Sequence, residues 1–220
     1  MNSRDENAVS ATLTKQSYEK ALNDLSKQDN DLKKIIEKIG HPPTWNREPG
    51  FPTLIRIILE QQVSLASAKA AFDKLLLRIS PLSPENFLML KSEELKEIGF
   101  SRQKTRYCRL LAIAIVDGSL DLDNLGSLSD SEAKTVLTKL KGIGHWTGDI
   151  YLLMALNRAD VWPARDLALA AAVQKLKNLN NKPSFEEIEK IAEGWKPWRA
   201  VAARILWHFY LSDGFKKPEN

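Results

Sequence analysis

Cysteine is almost absent: the chain of 220 residues contains one, Cys108. That excludes an internal disulfide, a zinc knuckle and an iron–sulfur cluster held by cysteines alone. The three histidines, His41, His145 and His208, are scattered and form no HExxH pattern. No catalytic transition metal is expected, and no cofactor is required. Long apolar runs are missing too, since none approaches the roughly 18 residues of a membrane helix. The first seven residues, Met1 to Asn7, are polar and mixed in charge, without the basic-then-apolar layout of a signal peptide. No membrane partner is expected, and an intracellular location is. Alternating strand patterns of convincing length are also lacking, and none flanks a two-residue hairpin turn.

What is present is core-forming and mildly cationic. Hydrophobic residues make up 43% of the chain and charged residues 27%, enough for a sizeable core in one or two domains. The net charge is +4 and the pI about 9.0, which is compatible with nucleic acid without requiring it. Between Ser101 and Val116 the cations Arg102, Lys104, Arg106 and Arg109 are answered by no acid. They read equally well as an anion-binding face or as a solvated face beside a core stripe of Leu110, Leu111 and Ile113.

Apolar periodicity predicts helices nearly throughout. Ser64 to Ser80 carries Leu65, Ala68, Phe72, Leu75, Leu76 and Ile79 at helical spacing. Phe51 to Gln61 places Leu54, Ile55, Ile58 and Leu59 on one side, with Pro52 in an opening turn. Ser129 with Glu132, and Ser184 with Glu187, form capping boxes that open helices to about Lys139 and to Ala192. Pro197 is expected to start a last helix reaching Leu211, and residues 1 to about 12 to fray. The fold class is all-α.

The most distinctive stretch is Leu140-Lys141-Gly142-Ile143-Gly144-His145-Trp146-Thr147. A tight turn between helices needs positive φ or the lack of a side chain, and glycine supplies both. Ile143 can plug into the core. The opening N–H groups of the next helix then point outward and, with the helix dipole, form an anion site. A DNA phosphate fits it, in a contact that carries no base information. The carbonyls of Thr138, Leu140 and Ile143 are expected to offer ligands to a monovalent cation, Na+ or K+, against that phosphate. A plain turn capped by glycines has the same sequence, so a bare Gly-x-Gly does not choose. Further along, Pro163-Ala164-Arg165-Asp166-Leu167 sets a lone carboxylate before an amphipathic run. Spacing alone favours a helix cap for Asp166.

Together these two stretches resemble the helix-hairpin-helix/GPD superfamily of DNA glycosylases, and within it the 3-methyladenine DNA glycosylase II (AlkA-like) branch. Ile58-Leu59-Glu60-Gln61-Gln62-Val63-Ser64 is similar to the QQVS-type segment of that branch. Gly194-Trp195-Lys196-Pro197-Trp198-Arg199 with Trp207 is similar to its C-terminal signature. The four motifs occur in family order between Asp29 and Tyr210. The resemblance implies a helix-hairpin-helix glycosylase fold with a single catalytic domain over 1–220. One subdomain would span about 55–160 with the hairpin, the other 1–54 plus 161–220, with the active-site cleft between them. It implies a monofunctional glycosylase of base excision repair that flips a nucleotide and hydrolyses the N-glycosidic bond of alkylated purines, 3-methyladenine and also 7-methylguanine. The partner would be double-stranded DNA containing alkylated bases, bound by a monomer.

The resemblance also assigns residues. Asp166 becomes the catalytic carboxylate, stabilising positive charge on the sugar and orienting or deprotonating water. Asp160 and Asp149 do not match the family's catalytic position. Trp146 and Trp207 become the base pocket, because indole faces favour a cationic methylated base. Gln62 becomes the wedge that fills the hole left by flipping, and Gly142, Gly144 and Thr147 contact DNA. Trp45, Trp162, Trp195 and Trp198 are left mainly to packing, Trp162 close to the pocket, and Arg199 to a structural ion pair. Two departures bear on chemistry. Bifunctional members carry a lysine nucleophile where this chain has Trp146, so no Schiff base and no strand cleavage are expected. Cys108 alone cannot supply the four-cysteine cluster of some branches. The N-terminal β-rich domain of larger bacterial relatives is not expected. A glycosylase for deaminated bases such as uracil or hypoxanthine, and a non-enzymatic DNA-binding module, remain alternatives.

Overall fold

The computed structural model describes residues 11–212. Among these, twelve α-helices and one short 3-10 turn form two compact units, and no strand forms. The all-helical reading holds. The expected fraying of the first residues lies outside the described residues except at Ala11 and Thr12, and these two are tied down. The Ala159 N–H donates to the Ala11 carbonyl at 2.9 Å, and Thr12 pairs with Arg158 in an isolated antiparallel bridge.

The unit Arg47–Leu156 is built on α3 (Phe51–Glu60). Helices α4 (Leu65–Arg78), α7 (Arg102–Val116) and α9 (His145–Met154) pack against it. Leu54, Ile55, Ile57 and Ile58 lose all their exposure. The expected one-sided stripe is therefore widened over most of the helix, because three neighbours pack on it, and only the face of Pro52, Arg56 and Glu60 stays partly open. The short helices α5 (Pro84–Met89) and α6 (Ser92–Ile98) complete the layer, with Phe87 between Phe51 and Phe100. Helix α8 (Asp130–Thr138) opens with the capping box of Ser129 and Glu132, as read from sequence.

Two of the four α7 cations prove to be structural. Lys104 Nζ donates to the Leu59 carbonyl at 2.6 Å, in the last turn of α3. Arg109 donates to the carbonyls of Leu88 and Leu90 at the end of α5. A cation beside unsatisfied C-terminal carbonyls is favoured by hydrogen bonding and by the helix dipole. Only Arg102 and Arg106 of the four lie exposed.

The second unit comprises 11–46 and 157–212 of the described residues. It contains α1 (Lys15–Gln28), α2 (Asn30–Ile39), α10 (Leu167–Leu176), α11 (Phe185–Glu193) and α12 (Arg199–Leu211). Helix α12 is its axis. Every residue from Ala200 to Trp207 is buried, and α1, α2 and α10 pack on it. The buried Arg204 is held by the Thr44 carbonyl at 2.7 Å and the Ala200 carbonyl at 3.2 Å, and burial pulls its pKa down to about 10. Helix α12 begins two residues later than Pro197 suggested. The Trp198 N–H closes a turn onto the Trp195 carbonyl at 2.8 Å, so the proline sits inside that turn.

Asp29 joins three elements of this unit. It caps α2 through the Asp31 N–H at 2.8 Å. It also accepts from the Trp195 indole at 3.0 Å and from Lys177 at 3.2 Å. Burial raises its carboxyl pKa, but the Trp195 and Asp31 N–H groups and the Lys177 charge outweigh burial and hold it below the usual value. A depressed folded pKa contributes stability above the unfolded value, lost as pH falls through the folded one. Asp29→Ala should therefore cost about 2–3 kcal/mol near neutrality, read from denaturant midpoints. The deficit should shrink as the pH is lowered below 4 or so.

Candidate active site

The hairpin joins α8 to α9 within the first unit, and a buried ion pair fixes the two helices. Lys134 Nζ lies 2.6 Å from Asp149 Oδ1, with the Asp149 side chain 3% exposed. Ile143 is buried between the glycines, as expected. The glycines themselves differ. Gly142 has φ +101°, and a Cβ there would lie 2.2 Å from Tyr107 Cγ, so α7 packs onto the bare backbone. Gly144 has an ordinary φ of −89° as the N-cap of α9, and a Cβ there would meet nothing within 4 Å. Positive φ is needed at the first glycine only. Nothing inside the protein requires the second. With glycine at the N-cap, no side chain caps α9.

Gln61, not singled out by sequence, braces this turn. Its Nε2 donates to the Gly142 carbonyl and to the Thr147 hydroxyl, both at 2.9 Å. Thr147 is only 2% exposed, which corrects its assignment as a DNA contact: its side chain is an internal brace. Gln62, next in sequence, points the other way. It is exposed, with a left-handed φ of +55°, and Val63 and Leu65 beside it are exposed apolar residues. The one signal that could have found Gln61 is the doubled glutamine at a helix end, where successive side chains diverge. Trp146 is half-buried and His145 exposed on the first turn of α9. Of the carbonyls considered for a cation, that of Leu140 accepts the Ile143 N–H at 3.0 Å; the neighbouring Gly142 carbonyl, not one of them, accepts from Gln61. No group of three or more His, Cys, Asp or Glu side chains placed to hold a metal ion occurs among the described residues, and no helix among them is long and apolar enough to cross a membrane.

Asp166 belongs to the second unit and is 9% exposed. It is the N-cap of α10, its Oδ1 accepting the Leu169 N–H at 2.9 Å. The same oxygen accepts the indole N–H of Trp207 at 3.3 Å. One carboxylate oxygen thus caps α10 and holds the indole of α12. Trp207 is itself 9% exposed and stands edge-on to Trp45, with ring centroids 6.4 Å apart and planes at 78°. Trp45, left to packing by sequence, is half-buried and held at φ +49°. The other three tryptophans of this unit are structural. Trp162 packs on Trp195 at 5.6 Å, and the indole of Trp198 donates to Asp24 at 3.0 Å. The rival carboxylates are held by cations. Arg199 grips Asp160 through Nε at 2.9 Å and Nη2 at 3.0 Å, and Lys134 holds Asp149.

The unequal glycines give a direct test. Gly142→Ala should cost about 2–4 kcal/mol, from the left-handed backbone and the collision with Tyr107. Gly144→Ala should change stability by less than about 1 kcal/mol. Urea midpoints at unchanged slope measure both. Equal effects would contradict the division of roles.

Residues 55–197 match the sequence profile of the HhH-GPD superfamily base excision DNA repair proteins. The alkylbase DNA glycosidase-like protein mag2 of Schizosaccharomyces pombe is 30% identical, over 86% of this chain and 92% of its own length. DNA-3-methyladenine glycosylase 1 of the same organism is also 30% identical, over 92% of each chain. A solved Schizosaccharomyces pombe 3-methyladenine DNA glycosylase in complex with abasic DNA superposes with a TM-score of 0.81 at 30% identity, covering 86% of this chain and 95% of that one. From its hairpin to its capped carboxylate, this chain belongs to the HhH-GPD superfamily of base excision DNA repair proteins.

Proposed function

We propose that the protein is a monofunctional DNA glycosylase that hydrolyses the N-glycosidic bond of alkylated purines, 3-methyladenine and 7-methylguanine, with Asp166 as the catalytic carboxylate. The observation that carries this reading is the setting of Asp166: a nearly buried carboxylate at the start of α10, held by the Leu169 and Trp207 N–H groups. The substrate class follows the names of the relatives.

The chemistry needs little else. An alkylated purine is cationic, so its bond to C1′ breaks with the electron pair leaving on a neutral base. The sugar becomes an oxocarbenium-like cation. Asp166, held in place by the Leu169 and Trp207 N–H groups, stabilises that charge. Water then adds to C1′ and loses its proton to the carboxylate, leaving an abasic site. This hydrolysis balances without a redox or group-transfer cofactor. With tryptophan at position 146 in place of an amine, no covalent imine forms and no strand is cut.

The remaining residues serve binding. The uncapped start of α9 receives a phosphate, and the open space at Gly144 admits its close approach. Gly142, its carbonyl held by Gln61, sets the turn. Na+ or K+ held by the carbonyls of Thr138, Leu140 and Ile143 would add positive charge against that phosphate. Carbonyl oxygens are hard donors, and that of Leu140, which accepts the Ile143 N–H, keeps a second lone pair for such an ion. Gln62, exposed on a left-handed backbone, is the wedge. Trp146 and Trp207 supply indole surface for a cationic base, and Trp45 lies edge-on to Trp207.

The test is chromatography of bases released from methylated duplex DNA by wild type and by Asp166→Asn, which keeps the size and removes the charge. Release by wild type, with at least a roughly hundredfold loss in the variant and DNA binding retained, is expected. Release by both would remove Asp166 from the chemistry. No release by either, on DNA that both bind, would favour a deaminated-base substrate or a binding module.

A further inference from the structure

Five non-glycine residues among those described hold a positive φ: Trp45, Gln62, Asn157, Arg165 and Asn178. Asparagine enters the left-handed region readily. The other three do not, and each is held there against its preference. Gln62 is the exposed residue at the end of α3, and Trp45 touches the tryptophan that donates to Asp166. Arg165, at φ +63°, immediately precedes Asp166.

Glycine would adopt that backbone without strain, and the arginine side chain gains nothing from the protein in return. Arg165 is exposed and makes none of the hydrogen bonds or ion pairs found among the described residues. It reaches α11 only at long range. The Glu186 carboxyl is held below its usual pKa chiefly by its own backbone N–H and the Ser184 hydroxyl, with the Arg165 charge a lesser cause. A strained, exposed cation with no internal partner is placed for something outside the chain. On the far side of the carboxylate, Leu167 is 65% exposed, so Asp166 is flanked by two residues that the fold does not use.

We propose that Arg165 is a phosphate clamp for the target nucleotide. The proposal rests on the assignment of Asp166 to the sugar. Every deoxyribose in a strand carries a phosphate on both its 3′ and 5′ oxygens. A residue adjoining the carboxylate that faces C1′ is therefore one side chain away from a phosphate. The guanidinium offers a planar fork of N–H donors that matches phosphate oxygens in a charge-assisted pair. The left-handed turn at Arg165 aims the arginine outward while Asp166 turns in to cap α10. The clamp reads no base. It fixes the sugar against the carboxylate.

The experiment measures binding to a duplex containing a tetrahydrofuran abasic-site analogue across a range of NaCl concentrations, together with thermal melting. Arg165→Gly should melt no lower than wild type, because glycine suits the backbone. It should bind roughly tenfold more weakly at low salt, with the slope of log K against log salt reduced by about 0.9, one phosphate's share. Arg165→Lys keeps the charge and should keep most of the slope. Unchanged affinity and slope in Arg165→Gly would overturn the clamp. So would a fall in melting temperature that Glu186→Gln reproduces, since the arginine would then be a surface brace. Failure of wild type to bind the abasic duplex, or base release undiminished in Asp166→Asn, would instead remove the Asp166 reading on which the clamp depends.

Discussion

A carboxylate that leaves water must be given donors in its place, and much of the second unit is arranged to supply them for Asp166. The Leu169 N–H comes from the start of α10, and the Trp207 N–H from α12. For the second donor to reach, α12 must hold its register. The backbone of Ala200 is bonded to Ala159, Arg204 to the Thr44 carbonyl, and the Trp198 indole to Asp24. Each contact is modest, worth about 1 kcal/mol net. Their combined effect is positional: a carboxylate with two N–H donors at one oxygen stays in place. Donors fixed before the reaction lower a barrier more than donors that must reorient during it.

The hairpin is built differently. Its outer surface is bare at Gly144, and its support comes from behind. Gln61 fastens the Gly142 carbonyl and Thr147, Tyr107 fills the space that a side chain at Gly142 would need, and Lys134 with Asp149 ties α8 to α9. Gly144 is left with free space and an uncapped helix. Internal strain follows the same logic. It collects at Trp45, Gln62 and Arg165, three residues whose backbones are held where asparagine or glycine would rest more easily.

Helices were legible because apolar spacing and caps are local signals. Ser129 with Glu132 and Ser184 with Glu187 form the capping boxes their spacing suggested. The wide burial of α3 was not legible, since it depends on three neighbours that periodicity within one helix does not reveal. Nor was the use of Lys104 and Arg109 as caps for the ends of α3 and α5, because the carbonyls they meet lie far away in sequence. At the site, Asp166 was identifiable through its motif, but its bond to Trp207 spans 41 positions and has no local trace. Thr147 read as an outward contact because it follows the hairpin; one helical position turned it inward. Trp45 read as core because most tryptophans are, and only its positive φ and its contact with Trp207 set it apart.

The central claim is that Asp166 stabilises a positively charged sugar. It can be tested without turnover by comparing two duplexes that differ at one ring atom. One carries a pyrrolidine, protonated and cationic, in place of the target deoxyribose, and the other a neutral tetrahydrofuran. A site complementary to the cationic transition state binds the charged ring more tightly. Wild type should prefer it by about tenfold or more, and Asp166→Asn should lose most of that preference while binding the neutral ring as before. A preference that survives intact in Asp166→Asn, or none in wild type, would contradict the role given to this carboxylate.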